Sequence, residues 1–142
     1  MASANDRQEG GSHYKAGSIQ HWDLIAQNRV GYLEGNATKY LTRWRKKNGV
    51  EDLKKALHYV DKLSELAGAG IVQNQSKFID RDNPAYDDLE VFYAENNLES
   101  AEQLAVFWLL TWDCLQDIQH GRSIICNLIE KASGHGTAPG AH

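Results

Sequence analysis

An all-α fold, a helical hairpin followed by further helices with no sheet, is predicted by three features of this 142-residue chain. Apolar residues recur at spacings of three and four through most of residues 19–132, the period of one helix face. No stretch alternates apolar and polar residues, and Asn48-Gly49 is flanked by helical patterns, so it reads as a helix stop and not as a hairpin turn. Helix breakers and caps fall at intervals that divide the chain into helices of ordinary length.

Ser18 is a suitable cap for a first helix reaching Asn28, with Ile19, Trp22, Ile25 and Ala26 on one face. The second helix is predicted from Tyr32 to Lys47 and stops at Asn48-Gly49. A third begins near Val50, with Glu51 and Asp52 complementing its positive N-terminus, and stops at Gly68-Ala69-Gly70. Its apolar stripe is Leu53, Ala56, Leu57, Val60, Leu63 and Ala67. The second and third helices should form the hairpin. Residues 70–83 lack periodicity and read as a connection. Asn83-Pro84 opens a helix over 85–95, which Asn96-Asn97 closes. Ser100 and Gln103 suggest a capping box for a helix over 101–119. Its segment from Leu104 to Trp112 is nearly all apolar, which places it in the domain centre or in an oligomer interface. Gly121 then precedes a last helix, Ser123 to Ala132.

The chain therefore divides into a flexible start (1–12), a hairpin region (13–68), a connection (69–83), an acidic helical region (84–132) and a flexible tail (133–142). The net charge of −4 conceals an uneven distribution. Residues 29–55 carry eight basic and three acidic side chains, whereas residues 80–117 carry ten acidic ones against Arg81. A basic segment inside an acidic chain suits a small anion, while the acidic remainder disfavours a long nucleic acid. Cys114 and Cys126 lack metal-ligand spacing and sit among apolar residues, so both are expected to be buried free thiols. His135 and His142, in the tail, read as incidental and not as ligands. The start, MASANDRQEGG, has no apolar stretch, and no run approaches the roughly 18 residues of a membrane span. A cytoplasmic location follows as the expectation.

The second helix carries the informative pattern. Leu33, Ala37, Tyr40, Leu41 and Trp44 form its core stripe, and Asn36, Lys39, Arg43 and Lys47 form a polar stripe beside it. That stripe lacks the mixed signs of a solvated face. On the third helix Lys55, Tyr59 and Lys62 align, and an antiparallel hairpin would bring Lys55 to Arg43 or Lys47. Arginine forks, mobile lysines and an aromatic ring suit a phosphate with a base attached. The same pattern would also serve as a plain basic face.

Ser12-His13-Tyr14, then Gly35-Asn36-Ala37-Thr38-Lys39-Tyr40-Leu41-Thr42-Arg43, then Lys47, then Glu51-Asp52-Leu53-Lys54-Lys55-Ala56 with Tyr59 closely resemble a group of small phage-encoded proteins. The group's pattern reads HY, a spacer, GNAxKYxxRxxxK, a short turn and DLKKAxxYL. It has long been catalogued as a domain of unknown function and includes a nucleotide kinase that lacks a P-loop. The resemblance spans about residues 12–66, and none was found for residues 70–132. It implies nucleotide or phosphate contacts from His13, Tyr14, Asn36, Lys39, Tyr40, Arg43, Lys47, Lys55 and Tyr59. It also implies phosphorylation of deoxynucleoside monophosphates by a nucleoside triphosphate, with His13, Arg43 and Asp52 as candidate catalytic residues. No dedicated cofactor is implied, and magnesium would come with the nucleotide. A departure from the pattern is Trp44-Arg45-Lys46, where many relatives have a small residue and glycine.

Consistently, no GxxxxGK[ST] occurs in the chain. Asp52 also has a plainer role as a first-turn acid of its helix. The alternatives are a non-catalytic nucleotide binder, such as a sponge for a host signalling nucleotide, and an all-α nucleoside triphosphate pyrophosphohydrolase. The latter needs clustered carboxylates around magnesium, and Glu34, Asp52 and Asp61 are scattered. A homo-oligomer is expected from the apolar Phe107–Trp112 segment.

Overall fold

The computed structural model describes residues 19–134. Expectations for Ser18, His13, Tyr14, His135, His142 and the outer parts of both termini lie outside the described residues. Six α-helices and one 3₁₀ turn make up the described fold, with no strand among these residues. The helices are α1 (His21–Gln27), α2 (Tyr32–Arg43), α3 (Val50–Gly68), α4 (Ala85–Glu95), α5 (Ser100–Thr111) and α6 (Leu115–Ala132). No described helix is long and apolar enough to cross a membrane.

The α2–α3 hairpin is the frame of the molecule. Ala37, Leu41, Leu53, Ala56, Val60 and Leu63 are buried along its inner side. Helix α5 lies against α2 and α6, and α6 lies in turn along α3. Ala105, Val106, Leu109 and Leu110 are buried there, so most of the apolar segment belongs to the domain centre. Arg122 of α6 donates from Nε to Asp61 of α3 at 2.6 Å, fastening the outer edge of that contact.

Several boundaries differ from the sequence expectation, each for a physical reason. Helix α2 ends at Arg43, not Lys47, because residues 44–49 tighten into turns that Gly49 closes at φ +61°, donating its N–H to the Trp44 carbonyl at 2.9 Å. A side chain at that φ is strained, which explains the glycine. Helix α5 starts at Ser100 and ends at Thr111, not 119. The Asn74 amide donates to the carbonyls of Leu110 and Trp112 at 3.0 and 2.8 Å, capturing acceptors that a continuing helix would use. Helix α6 begins at Leu115, not Ser123, and runs through Gly121. That glycine is a close contact and not a break: a Cβ there would lie 2.9 Å from Leu109 Cδ2. The Ser100–Gln103 capping box does not form, since the Gln103 amide donates to the Leu98 carbonyl at 2.8 Å and Glu99 is the cap residue. The connection contains the 3₁₀ turn Lys77–Ile79, which buries Phe78 completely. Both cysteines are free, but Cys114 is exposed just before α6 and Cys126 is half-buried.

Candidate functional site

The hairpin places a ring of aromatic and cationic side chains along one edge. Tyr40 of α2 and Tyr59 of α3 stack with centroids 6.0 Å apart and planes inclined at 15°. Tyr32, the first residue of α2, meets Tyr59 edge-on at 6.2 Å. Around Tyr40 stand three cations: Lys39 Nζ at 4.7 Å from the ring centroid, Arg43 Cζ at 4.7 Å and Lys55 Nζ at 5.5 Å. The negative face of the ring attracts each of them. Their mutual repulsion is only partly offset, because Lys39 and Lys55 form no ion pair among the described residues. An anion would complete the arrangement. The Tyr59 hydroxyl is hydrogen-bonded to Tyr32, which with partial burial raises its pKa and keeps it protonated.

Asp52 is fully buried at the base of this edge. It accepts from Arg43 Nε at 3.3 Å, from Asn48 Nδ2 at 3.2 Å and from the Asn48 backbone N–H at 3.4 Å. Burial alone would raise its carboxyl, yet hydrogen bonds from the Asn48 side chain, Arg43 and the Asn48 backbone outweigh it and hold the pKa below the usual value. Asp52 therefore fixes Arg43 through Nε. Both terminal guanidinium nitrogens stay without a hydrogen bond among the described residues, presented as a fork.

The other sequence candidates fall in different places. Asn36 donates to the Tyr32 carbonyl at 2.9 Å and lines, with Lys39, a hollow of about 360 Å³ beside α1. Lys47 is exposed in the turn after α2, without an ion pair among the described residues. Lys62 pairs with Glu65 at 2.6 Å. The edge thus gathers Lys39, Tyr40, Arg43, Lys55 and Tyr59, and not Lys47. Among the described residues no group of three or more His, Cys, Asp or Glu side chains could hold a metal ion.

The hollow beside α1 is backed by His21, whose Nε2 lies 2.9 Å from the Thr38 hydroxyl. The Thr38 hydroxyl donates to the Glu34 carbonyl at 2.9 Å, so it accepts from the ring. Burial first, and the charge of Lys39 second, push the His21 imidazole down to about 4 from 6.5. The folded state then binds a proton less readily than the unfolded chain. Stability is complete above pH 6.5, falls as pH drops towards 4 and levels off below. A fall of about 2–3 kcal/mol is expected in urea titrations across that window, and His21→Gln should flatten it.

Three residues that matter here were not singled out from the sequence. Tyr32 extends the aromatic row by one ring, and its only signal was its place about two turns before Tyr40. Glu34 is buried and accepts the Trp112 indole N–H at 2.7 Å. Glu102 of α5 is buried and accepts from Trp44 Nε1 at 2.9 Å and Arg45 Nε at 2.6 Å through one oxygen. Trp44-Arg45 thus anchors the hairpin to α5.

No curated protein and no solved structure matches the chain. A segment of it does match a family model: residues 8–61, which contain α1, α2 and the first twelve residues of α3, match the family described as a protein of unknown function, DUF3310.

Proposed function

We propose that the protein binds nucleotides at the outer edge of the α2–α3 hairpin, with the phosphate among Lys39, Arg43 and Lys55. The observation that carries this reading is the gathering of three cations within 5.5 Å of the Tyr40 ring centroid, with Tyr59 stacked behind it. Phosphate oxygens are well matched to an arginine fork and two lysines, and the adjacent rings offer a stacking surface for a base. In this reading Asp52 positions Arg43. The sequence resemblance adds deoxynucleoside monophosphates as the ligand class, and magnesium as a companion of the nucleotide.

A second reading is phosphoryl transfer from a nucleoside triphosphate to such a monophosphate. It is favoured by two hollows that share Tyr32, of about 450 and 360 Å³, room for a donor and an acceptor. Phosphoryl transfer rests largely on positioning and charge neutralisation, which the cations would supply. The test is direct. The purified protein is titrated with each deoxynucleoside monophosphate by calorimetry, then incubated with the same monophosphates and γ-labelled triphosphate. Saturable binding with labelled diphosphate above a heat-killed control supports the kinase. Binding without product leaves a nucleotide binder. Absence of any binding overturns both readings.

A further inference from the structure

A hollow of about 450 Å³ lies where the N-terminal end of α2 faces the C-terminal half of α3 and the connection that follows. Leu33, Leu63, Leu66 and Val72 give it apolar walls. Its distinctive feature is Glu34, a carboxylate only 6% exposed that forms part of the wall. Oε2 is taken by the Trp112 indole N–H at 2.7 Å, whereas Oε1 has no hydrogen bond among the described residues. Gly31, also part of the wall, makes room for that oxygen: a Cβ at Gly31 would lie 2.6 Å from Oε1. Water reaches this oxygen from the hollow in the free protein, and a ligand donor there would take that water's place.

A second, independent observation concerns the rim. Arg29 stands there with φ +56°, a left-handed conformation that non-glycine residues adopt only at a cost. Neighbouring backbone bonds impose it, from Val30 N–H to the Ile25 carbonyl at 3.0 Å and from Lys77 N–H to the Asn28 carbonyl at 2.9 Å. Its guanidinium forms no ion pair among the described residues. The hollow thus combines a hydrogen-bond acceptor inside, apolar walls and a cation at the mouth. Leu33 and Lys62 also border a neighbouring, more open hollow of about 620 Å³, lined by Asp61 and Glu65 and by Tyr59, the ring stacked on Tyr40.

From this arrangement we infer that the hollow receives the base of the bound nucleotide, and that Glu34 Oε1 accepts an N–H from that base. The inference rests on the nucleotide reading above, and it places the base in this hollow in preference to the Tyr40–Tyr59 rings and names the residue that reads it. Apolar walls suit the faces of a heteroaromatic ring, and a carboxylate suits a base edge that presents N–H donors. Arg29 at the mouth favours an anionic group outside.

Glu34→Gln tests the assignment with little change of shape. The amide oxygen retains the Trp112 bond, and the atom facing the hollow becomes a donor. The probes are the four deoxynucleoside 5′-monophosphates and, as a base-free control, 2-deoxyribose 5-phosphate. In the unaltered protein at least one nucleotide should bind roughly 10- to 100-fold more tightly than the sugar phosphate, the worth of one hydrogen bond to a charged acceptor. Glu34→Gln should remove most of that advantage and leave sugar phosphate affinity unchanged. Gly31→Ala, whose Cβ displaces Oε1, should act in the same direction. Nucleotide affinities that ignore both substitutions overturn the base pocket alone and leave the phosphate site standing. Failure of all five probes to bind the unaltered protein overturns the nucleotide reading, and the base pocket with it.

Discussion

Arg43→Ala is expected to weaken deoxynucleoside monophosphate binding by about 10- to 100-fold, the usual worth of a charge-assisted contact to phosphate. The guanidinium is held over Tyr40 by Asp52 and presents its terminal nitrogens outward. Removing it deletes the fork and lowers the positive potential that Lys39 and Lys55 share. The same substitution leaves Asp52 buried with only Asn48 as a donor. Because the Arg43 side chain is 36% exposed, the accompanying loss of stability is modest, about 1–2 kcal/mol. Two readouts separate the effects: calorimetric affinity, and the urea midpoint of the free protein. Arg43→Lys should recover the charge but not the fork, giving an intermediate affinity.

The largest loss of stability is expected from Glu102→Ala. This carboxylate is 2% exposed and satisfies the Trp44 indole N–H and Arg45 Nε with one oxygen, while its other oxygen is buried without a partner. Truncation leaves the buried indole N–H unpaired and opens a void between α2 and α5. Arg45 is half-exposed and can turn to water, which limits the cost to about 2–4 kcal/mol. Glu102→Gln keeps an acceptor for Trp44 and should cost less. Urea unfolding followed by circular dichroism measures both, and equal midpoints for Glu102→Ala and the unaltered protein would show that the anchor contributes nothing.

What the sequence revealed was local. The bounds of α3, at Val50 and Gly68, and of α4, at Ala85 and Glu95, follow from stop signals and periodicity that act within a few residues. The basic stripe of α2 was legible for the same reason, since helical spacing brings Lys39, Tyr40 and Arg43 into reach of one another. Errors arose where a distant partner decides the outcome. Gly121 reads as a breaker until Leu109 is seen pressing on it, and α5 ends early because Asn74, 36 residues before Leu110, captures its carbonyls. Glu34 and Glu102 count as two more charges in a composition sum, yet each is enclosed by a tryptophan 78 or 58 residues away. The division into a basic and an acidic part is therefore not a structural division. Glu102, from the acidic part, is the partner that Trp44 and Arg45 require.

The proposed location of the nucleotide is the outer edge of the α2–α3 hairpin. Isotope-labelled protein titrated with a deoxynucleoside monophosphate, and followed by nitrogen–proton correlation spectra, tests it most directly. The predicted result is a saturable set of shifts at Lys39, Tyr40, Arg43, Lys55 and Tyr59. Spectra that stay unchanged, or shifts confined to α4 and α6, would contradict it.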